Sequence, residues 1–312
     1  MFEPETIKNK RIGFSVLNWG LGHVTRCVSL IEQLKRQSNS IFIFCNQEQK
    51  VIFSQYLKEV EFIDHEGYPF QFRGKGNFKL DLFRSLFALY SYSKKDREFA
   101  KESVKLYDLD LIISDQRYGF FTSAVPSIFI THQLTFPLRG IYGIFNIVNR
   151  KEISKFDSVW VMDNNEHLAG SLSFNKRIKH VIQIGHHSRF LLLNIDQRKS
   201  IKSVLIINGP RSYSHYLLDH FEKQLCSNEI QYVIGNPEIQ QDLYQIDTGA
   251  TFIPNTDMVR ADEVMASAKV ICGYFGYSTL MDCRILKCSY DLIPTPGQLE
   301  QVYLAKLHKK SP

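Results

Sequence analysis

The sequence has no apolar run of the roughly 18 residues that a membrane-crossing helix needs, so no such helix is expected in it. The first residues, MFEPETIKNKR, lack the apolar core of a secretory signal. The expectation is a cytoplasmic protein, either free or at the inner face of the cytoplasmic membrane. A long basic block is also missing. The net charge of +6 suits an anionic ligand or a membrane surface and argues against a nucleic-acid partner. The six cysteines, at 27, 45, 226, 272, 283 and 288, are scattered and sit mostly inside apolar runs, so they read as reduced buried thiols rather than disulfides. Cys283 and Cys288 have no His or Cys partner at zinc-binding spacing, so no metal is expected there. No low-complexity tract or obvious sequence repeat is present.

What is present is a chain of 312 residues, 44% hydrophobic and 22% charged, long enough for two domains with cores of their own. Short apolar runs alternate with helix-like segments. Arg11–Leu17, Ile41–Cys45, Val60–Ile63, Leu109–Ile113, Ser127–Ile130 and Ser158–Met162 read as strands with polar residues at their carboxyl ends. This pattern implies a doubly wound parallel α/β sheet. A second series is expected to open at Val181–Gly185 and to continue through Ser203–Ile207, Gln231–Ile234, Ala250–Ile253, Val270–Cys272 and Tyr290–Ile293. The boundary falls between 185 and 200, with Leu191–Ser200 as a connection. Two segments break the rhythm. The aromatic and basic stretch Tyr68–Tyr92 is expected to be an amphipathic helix packed on the sheet, and Phe136–Phe145 a buried loop; a membrane-facing role is the alternative for both.

The stretch Val270–Ala305 carries the most chemistry. A strand ends in Gly273-Tyr274-Phe275-Gly276, and a helix opens near Ser278 or Thr279, either of which could cap it. Unpaired backbone N–H groups at such a turn suit an anion, and Asp282 lies about one turn inside, where it could accept from ribose hydroxyls. A second strand then ends at Pro294, and the next helix opens with the polar turn Gln298-Leu299-Glu300-Gln301. Neighbouring strand ends of a parallel sheet would offer these groups to one crevice. Near the N-terminus, Asn18-Trp19-Gly20-Leu21-Gly22-His23 forms another strand–glycine loop–helix junction.

Together these residues resemble the inverting glycosyltransferases of the two-Rossmann-domain B fold, most closely the family 28 group that includes the lipid-linked N-acetylglucosaminyl transferase of peptidoglycan synthesis. Gly20-Leu21-Gly22-His23 resembles the family's N-terminal glycine-histidine loop, and Thr131-His132-Gln133 is similar to a segment of its acceptor domain. Gly276, Thr279 and Asp282, followed by Pro294, Gln298, Glu300, Gln301 and Ala305, resemble its nucleotide-sugar signature in order and spacing. The resemblance implies two Rossmann-like doubly wound parallel-sheet domains facing a central cleft: residues 1–185 for the acceptor and 186–312 for the donor. On the donor side it implies Asp282 at the ribose, where the family more often has glutamate, Glu300 and Gln301 near the hexose hydroxyls, and Gln298 among the donor-binding residues. Gly276, Ser278 and Thr279 would line the turn beside them. Gly209, Arg211 and Ser212 stand where the family binds the diphosphate, with Pro210 removing one backbone donor. The segment Asp257–Val259, centred on Met258, stands near the uridine base. On the acceptor side the resemblance implies Gly20, Gly22, His132 and Gln133. The chain stops at Pro312, soon after the signature, where relatives continue through a helix that crosses back to the first domain.

Transfer of a sugar from a nucleoside diphosphate needs a base for the acceptor hydroxyl and a positive environment for the leaving group. His23 suits the first role, and the resemblance implies that Asp115 orients it; the alternatives are a phosphate contact or loop cap for His23 and a turn former for Asp115. The resemblance therefore implies an inverting transferase moving a hexose, N-acetylglucosamine or a related sugar, from a UDP-sugar co-substrate to a lipid-linked or envelope-polysaccharide acceptor. It implies no cofactor and no metal, with helix N-termini and basic side chains in the metal's place. The alternatives are a non-hydrolysing sugar-nucleotide epimerase and a non-catalytic partner subunit of another transferase. Asp108-Leu109-Asp110 looks like a metal-binding acid pair but precedes its strand, and so lies at the wrong end of the sheet. His186-His187 read as hinge residues, with Arg189 as a phosphate contact, and Cys27 as a buried helix thiol.

Overall fold

The computed structural model describes residues 2–69, 78–138, 140–193, 198–209 and 211–308. Three features noted in the sequence, the 70–77 part of the aromatic-basic stretch, the 194–197 part of the expected connection and Pro210, lie outside the described residues. The chain divides into two compact units, with the main boundary between His187 and Ser188.

The first unit runs β1 (Arg11–Val16), α1 (Leu21–Lys35), β2 (Ser40–Cys45), α2 (Gln47–Tyr56), β3 (Glu61–Asp64), α3 (Phe78–Leu106), β4 (Leu111–Asp115), β5 (Ser127–Thr131), α4 (Ile144–Ile153), β6 (Ser158–Val161) and β7 (Val181–Gln183). These strands form one seven-stranded sheet in the order β3-β2-β1-β4-β5-β6-β7. Every pairing is parallel. The near-continuous apolar runs of β1, β2, β4, β5 and β6 are buried, as parallel strands covered on both faces must be. Phe14, Phe44, Phe129 and Trp160 are fully buried. Each such side chain contributes about 1.5–3 kcal/mol through the water it leaves.

The order reverses at β1, because β2 and β3 lie to one side of it and β4 to β7 to the other. The chain segments leaving β1 and β4 therefore depart toward opposite faces, which opens a notch over the carboxyl edge between them. A capping box secures one wall. Asn46 Oδ1 accepts from Gln49 N at 2.9 Å while Gln49 Oε1 accepts from Asn46 N at 3.2 Å, worth about 1 kcal/mol to α2. Gln49 Nε2 also donates to Val16 O and Leu17 O, tying the start of α2 to the end of β1.

The second unit repeats the plan with β8 (Ile201–Ile207), α5 (Ser214–Cys226), β9 (Ile230–Gly235), α6 (Gln240–Leu243), β10 (Thr251–Pro254), α7 (Met258–Ser267), β11 (Ala268–Tyr274), α8 (Tyr277–Leu286), β12 (Ser289–Ile293) and α9 (Leu299–Leu307). Its sheet has the order β10-β9-β8-β11-β12, all parallel, and reverses between β8 and β11. Leu205, Leu217, Phe221 and Val233 fill one core, and Val204, Ile253, Ala266 and Ile271 the other.

Three sequence expectations need correction. Val181–Gly185 does not open the second series: β7 pairs with β6 as the edge strand of the first sheet. A strand's own residues do not reveal its partner. Second, α8 begins at Tyr277 with Gly276 as its cap and no side-chain capping bond, so Ser278 and Thr279 lie within the first turn. Third, 136–145 is not a buried loop. A 3-10 turn at Gly140–Gly143 leads into α4, whose Ile144, Ile147 and Val148 are 60%, 55% and 52% exposed.

Candidate active site

Two groups of the expected site residues lie at the reversal point of their own sheet. At the first sheet, Gly20 turns the chain out of β1 with φ +90°, a conformation that costs a side-chain-bearing residue about 1 kcal/mol or more. Helix α1 starts directly after it and carries His23 in its first turn. Val16 lies opposite Asp115 in the β1·β4 register, so the last residue of β4 faces the start of the same loop. As a result His23 Nδ1 is 2.9 Å from Asp115 Oδ2. The sequence keeps these residues 92 positions apart, and the sheet order brings them together.

A residue passed over in the sequence completes the cluster. Arg26, one helical turn after His23, is 2% exposed. Its Nε donates to Asp115 Oδ2 at 3.2 Å, Nη2 donates to Asp115 Oδ1, and Nη1 donates to His132 Nδ1 at 3.0 Å. Arginine can only donate, so Nδ1 of His132 is an acceptor and its proton belongs on Nε2. His132 and Gln133 are both buried, and Thr131 Oγ1 accepts from Gln133 N at 2.8 Å. The signal for Arg26 was available in the sequence: a cation at i+3 from His23, inside the apolar face that continues through Val28 and Ile31.

The electrostatics follow from these contacts. Burial pushes the Asp115 carboxyl up, but Arg26 and His23 outweigh it and hold it at about 2. Asp115 is therefore an anion throughout the physiological range. Burial lowers the His23 pKa and Arg26 lowers it further, while Asp115 acts in the opposite direction. With its Nδ1 proton directed to Asp115, His23 keeps Nε2 as the lone-pair nitrogen. Nε2 carries no hydrogen bond from the described residues, and the side chain is 17% exposed. Cys27 is buried, its Sγ 3.6 Å from Asp115 Oδ2, and burial pushes the thiol well up, so it stays protonated and inert.

In the second unit, the loops after β8, β11 and β12 emerge side by side because those strands are adjacent. Gly209 has φ +89°, which lets the chain turn sharply after β8 and leaves Gly209, Arg211 and Ser212 exposed at the edge. Tyr274 OH, at the end of β11, donates to Tyr213 O at 2.5 Å and pins this loop across the reversal point. Gly276 caps α8, with Ser278 half-buried and Thr279 buried behind it. After β12, Gln301 Oε1 accepts from Thr295 N at 2.7 Å and folds the Pro294–Gln298 turn onto α9. Gln298 Oε1 is buried without a hydrogen-bond partner among the described residues, an unusual and costly state for an amide oxygen. Glu300 lies half-buried in the first turn of α9. Met258 is buried at the start of α7, where Asp257 Oδ1 accepts from Arg260 N.

Asp282 is more engaged than its sequence position suggests. It accepts from Ser188 Oγ at 2.5 Å through Oδ1 and from Arg189 Nη1 at 2.9 Å through Oδ2. Each oxygen retains lone-pair capacity for a further donor. Arg189 is not available as a phosphate contact. It is buried, its Nε is 2.6 Å from Asp262, and its guanidinium sits 4.3 Å from the Phe190 ring centroid. The His186-His187 pair is fixed within the first unit: His186 Nε2 is 3.2 Å from Asp163 Oδ1, and His187 links Ser29 Oγ of α1 to Ile184 O. Arg211, expected at a phosphate, forms an exposed pair with Glu238 at 2.9 Å, which solvent weakens and a bound anion could replace.

A second buried polar cluster in the first unit was not legible from spacing. Ser15 Oγ lies 3.3 Å from His65 Nδ1, His65 Nε2 lies 2.8 Å from Asp96 Oδ1, and Arg117 Nη2 donates to Asp96 Oδ1 at 3.0 Å. The order imitates a nucleophile triad, but Ser15 Oγ already donates to Phe44 O at 3.1 Å and the whole group is buried. Tyr68 OH completes it by donating to Asp96 Oδ2 at 2.9 Å. This cluster joins β1, the end of β3, α3 and the turn after β4, and its role is structural.

No family model matches the sequence, and no curated protein matches it. Solved structures do. The glycosyltransferase SsfS6 of Streptomyces sp. SF2575 superposes with a TM-score of 0.59 at 12% identity, over 96% of this chain and 85% of its own. SnogD from Streptomyces nogalater, also a glycosyltransferase, gives 0.60 at 10% identity over 95% and 84%. MurG of Acinetobacter baumannii gives 0.52 at 15% identity over 96% and 82%. MurG is thus one neighbour among several, and the likeness does not single out family 28. With its two doubly wound parallel sheets, this chain has the two-domain B fold of glycosyltransferases.

Proposed function

We propose that the chain is an inverting glycosyltransferase that moves a hexose, N-acetylglucosamine or a related sugar, from a uridine diphosphate donor to an acceptor hydroxyl. The observation that carries the proposal is the His23–Asp115 pair at the reversal point of the first sheet, with Nδ1 held by the carboxylate and Nε2 left as the acceptor. His23 Nε2 takes the proton of the acceptor hydroxyl as its oxygen bonds to the anomeric carbon. The bond from that carbon to the diphosphate oxygen breaks, the electron pair leaves with the nucleoside diphosphate, and configuration inverts. Asp115 steadies the imidazolium formed in this step.

The donor belongs to the second unit. Backbone N–H groups around Gly209, Ser212 and Gly276 receive the diphosphate, joined by Arg211 once it leaves Glu238, and no metal is needed. Gln298, Glu300 and Gln301 face the hexose, Asp282 the ribose and Met258 the base. Structures of similar fold support a nucleotide donor: SsfS6 was solved with thymidine diphosphate and UGT89C1 of Arabidopsis thaliana with UDP-L-rhamnose.

The acceptor is assigned to the first unit, near His23, Gly20, Gly22, His132 and Gln133. A lipid-linked acceptor at the membrane surface fits α4, where exposed Ile144, Ile147 and Val148 adjoin Arg150 and Lys151. Among the described residues, no helix is long and apolar enough to cross a membrane.

The decisive experiment measures nucleoside diphosphate release from a panel of uridine and thymidine diphosphate sugars, with and without a membrane extract. The expected result is acceptor-dependent release from one uridine donor, lost in His23→Ala while donor binding persists. Conversion of the donor without any acceptor would identify an epimerase instead. Donor binding with no turnover under any condition would leave a non-catalytic partner.

A further inference from the structure

Histidine bases paired with a carboxylate ordinarily gain basicity from it, because the anion stabilises the imidazolium. In this chain the carboxylate is shared. Arg26 meets Asp115 through both Nε and Nη2, meets His132 through Nη1, and brings Nη2 to 2.9 Å from His23 Nδ1. With the Nδ1 proton assigned to Asp115, the only acceptor among the two, Arg26 Nη2 faces an N–H rather than a lone pair. The approach is a like-charge contact whenever His23 is protonated. Among the described residues, the charged and titratable groups acting on His23 are Arg26 from α1, Asp115 from the end of β4 and His132 from the turn after β5, while Cys27 meets the same Asp115 oxygen.

We infer that Arg26 is a positioning residue of this site: it anchors Asp115 and His132 in one fork and opposes the protonation of His23, so that His23 enters the reaction as a neutral base. The assignment rests on His23 serving as the base. Arg26 itself touches no substrate in this scheme. It acts through the two side chains that do the orienting and the proton transfer. Its buried guanidinium neutralises Asp115, so the carboxylate fixes the imidazole's tautomer without making it a strong base. The lowered basicity of His23 agrees with this arrangement.

The test is a titration of the His23 imidazole by nitrogen-detected NMR in the wild-type protein and in Arg26→Gln, with Arg26→Lys as the conservative variant. In the wild type, His23 is expected to titrate below the ordinary histidine value. In Arg26→Gln it should rise by about one pH unit or more, and the acid limb of kcat/KM should move up with it. Turnover should then fall at pH 6 and be retained above pH 8, with donor affinity unchanged. Arg26→Lys, which keeps a charge beside Asp115, should titrate below Arg26→Gln. A wild-type His23 that titrates above its ordinary value overturns the inference, and this measurement does not depend on whether any variant folds. An unchanged His23 titration in folded Arg26→Gln overturns it as well, as does a rate loss equal at every pH. Failure of the base assignment is seen separately, as transfer that survives His23→Ala while the Arg26 effect on the titration remains.

Discussion

Val16 and Asp115 stand opposite each other in the parallel ladder of β1 and β4, and that register places the His23 loop against the last residue of β4. The dyad is a consequence of strand order.

Asp115→Asn tests the dyad directly. The amide cannot hold the Nδ1 proton of His23 as the carboxylate does, so kcat should fall by about 100- to 10,000-fold while donor binding, measured by calorimetry, is kept. The change also leaves Arg26 buried without its anion, and a denaturant titration should show a loss of about 3–5 kcal/mol. Activity should therefore be read at low temperature, where the variant remains folded.

His187 makes stability depend on pH. Burial lowers its pKa from 6.5 to about 4 in the folded chain. The unfolded chain binds the proton near the ordinary value and the folded chain only near 4, so stability is full above about 6.5 and falls as pH drops through that window. The loss is about 3 kcal/mol by pH 4. Thermal melts of wild type and His187→Gln between pH 7 and 4 should converge, with the variant flatter because it has no proton to bind.

In the second unit, Gln298 Oε1 is a buried acceptor without a partner among the described residues. A donor hydroxyl that satisfied it would bind more tightly for the bond, so Gln298→Ala should weaken donor binding by about 5- to 15-fold, with kcat changed less than KM. Removing an unsatisfied group should not destabilise the free protein. A melting temperature several degrees below wild type would indicate a structural role instead.

The exposed face of α4 supplies the membrane test. Ile144→Glu with Val148→Glu should reduce sedimentation with vesicles rich in anionic lipid, and raise the apparent KM for a lipid-linked acceptor more than for a soluble one. Both positions are more than half exposed, so stability should stay within about 0.5 kcal/mol of wild type.

The alternation of apolar strands and helical segments was legible because each signal is local. A buried parallel strand is a short apolar run, and the glycine that ends it, Gly20 or Gly209, is needed for a backbone turn that other residues resist. The same locality explains what was misread. The residues of β7 say that they form a strand but not which sheet it joins. The apolar residues of α4 look the same whether they face a core or solvent. Arg189 reads as a phosphate contact until Asp262 and Asp282 are seen around it.

The sequence by itself determined the α/β class and the glycine turns, because periodicity and turn chemistry act over a few residues, and its resemblance to a known family marked His23 and Asp115 as candidates. Only the tertiary structure decided that these two meet at the reversal point of the first sheet, that Arg26 holds them, and that Asp282 is shared with Ser188 and Arg189. The physical reason is that burial and charge pairing are set by strand order and register, which join residues about ninety positions apart and leave no trace in their spacing. The stretch with the fullest signature, Val270–Ala305, resembled its relatives locally, while Arg26, the side chain that ties the first unit's cluster together, carried no motif.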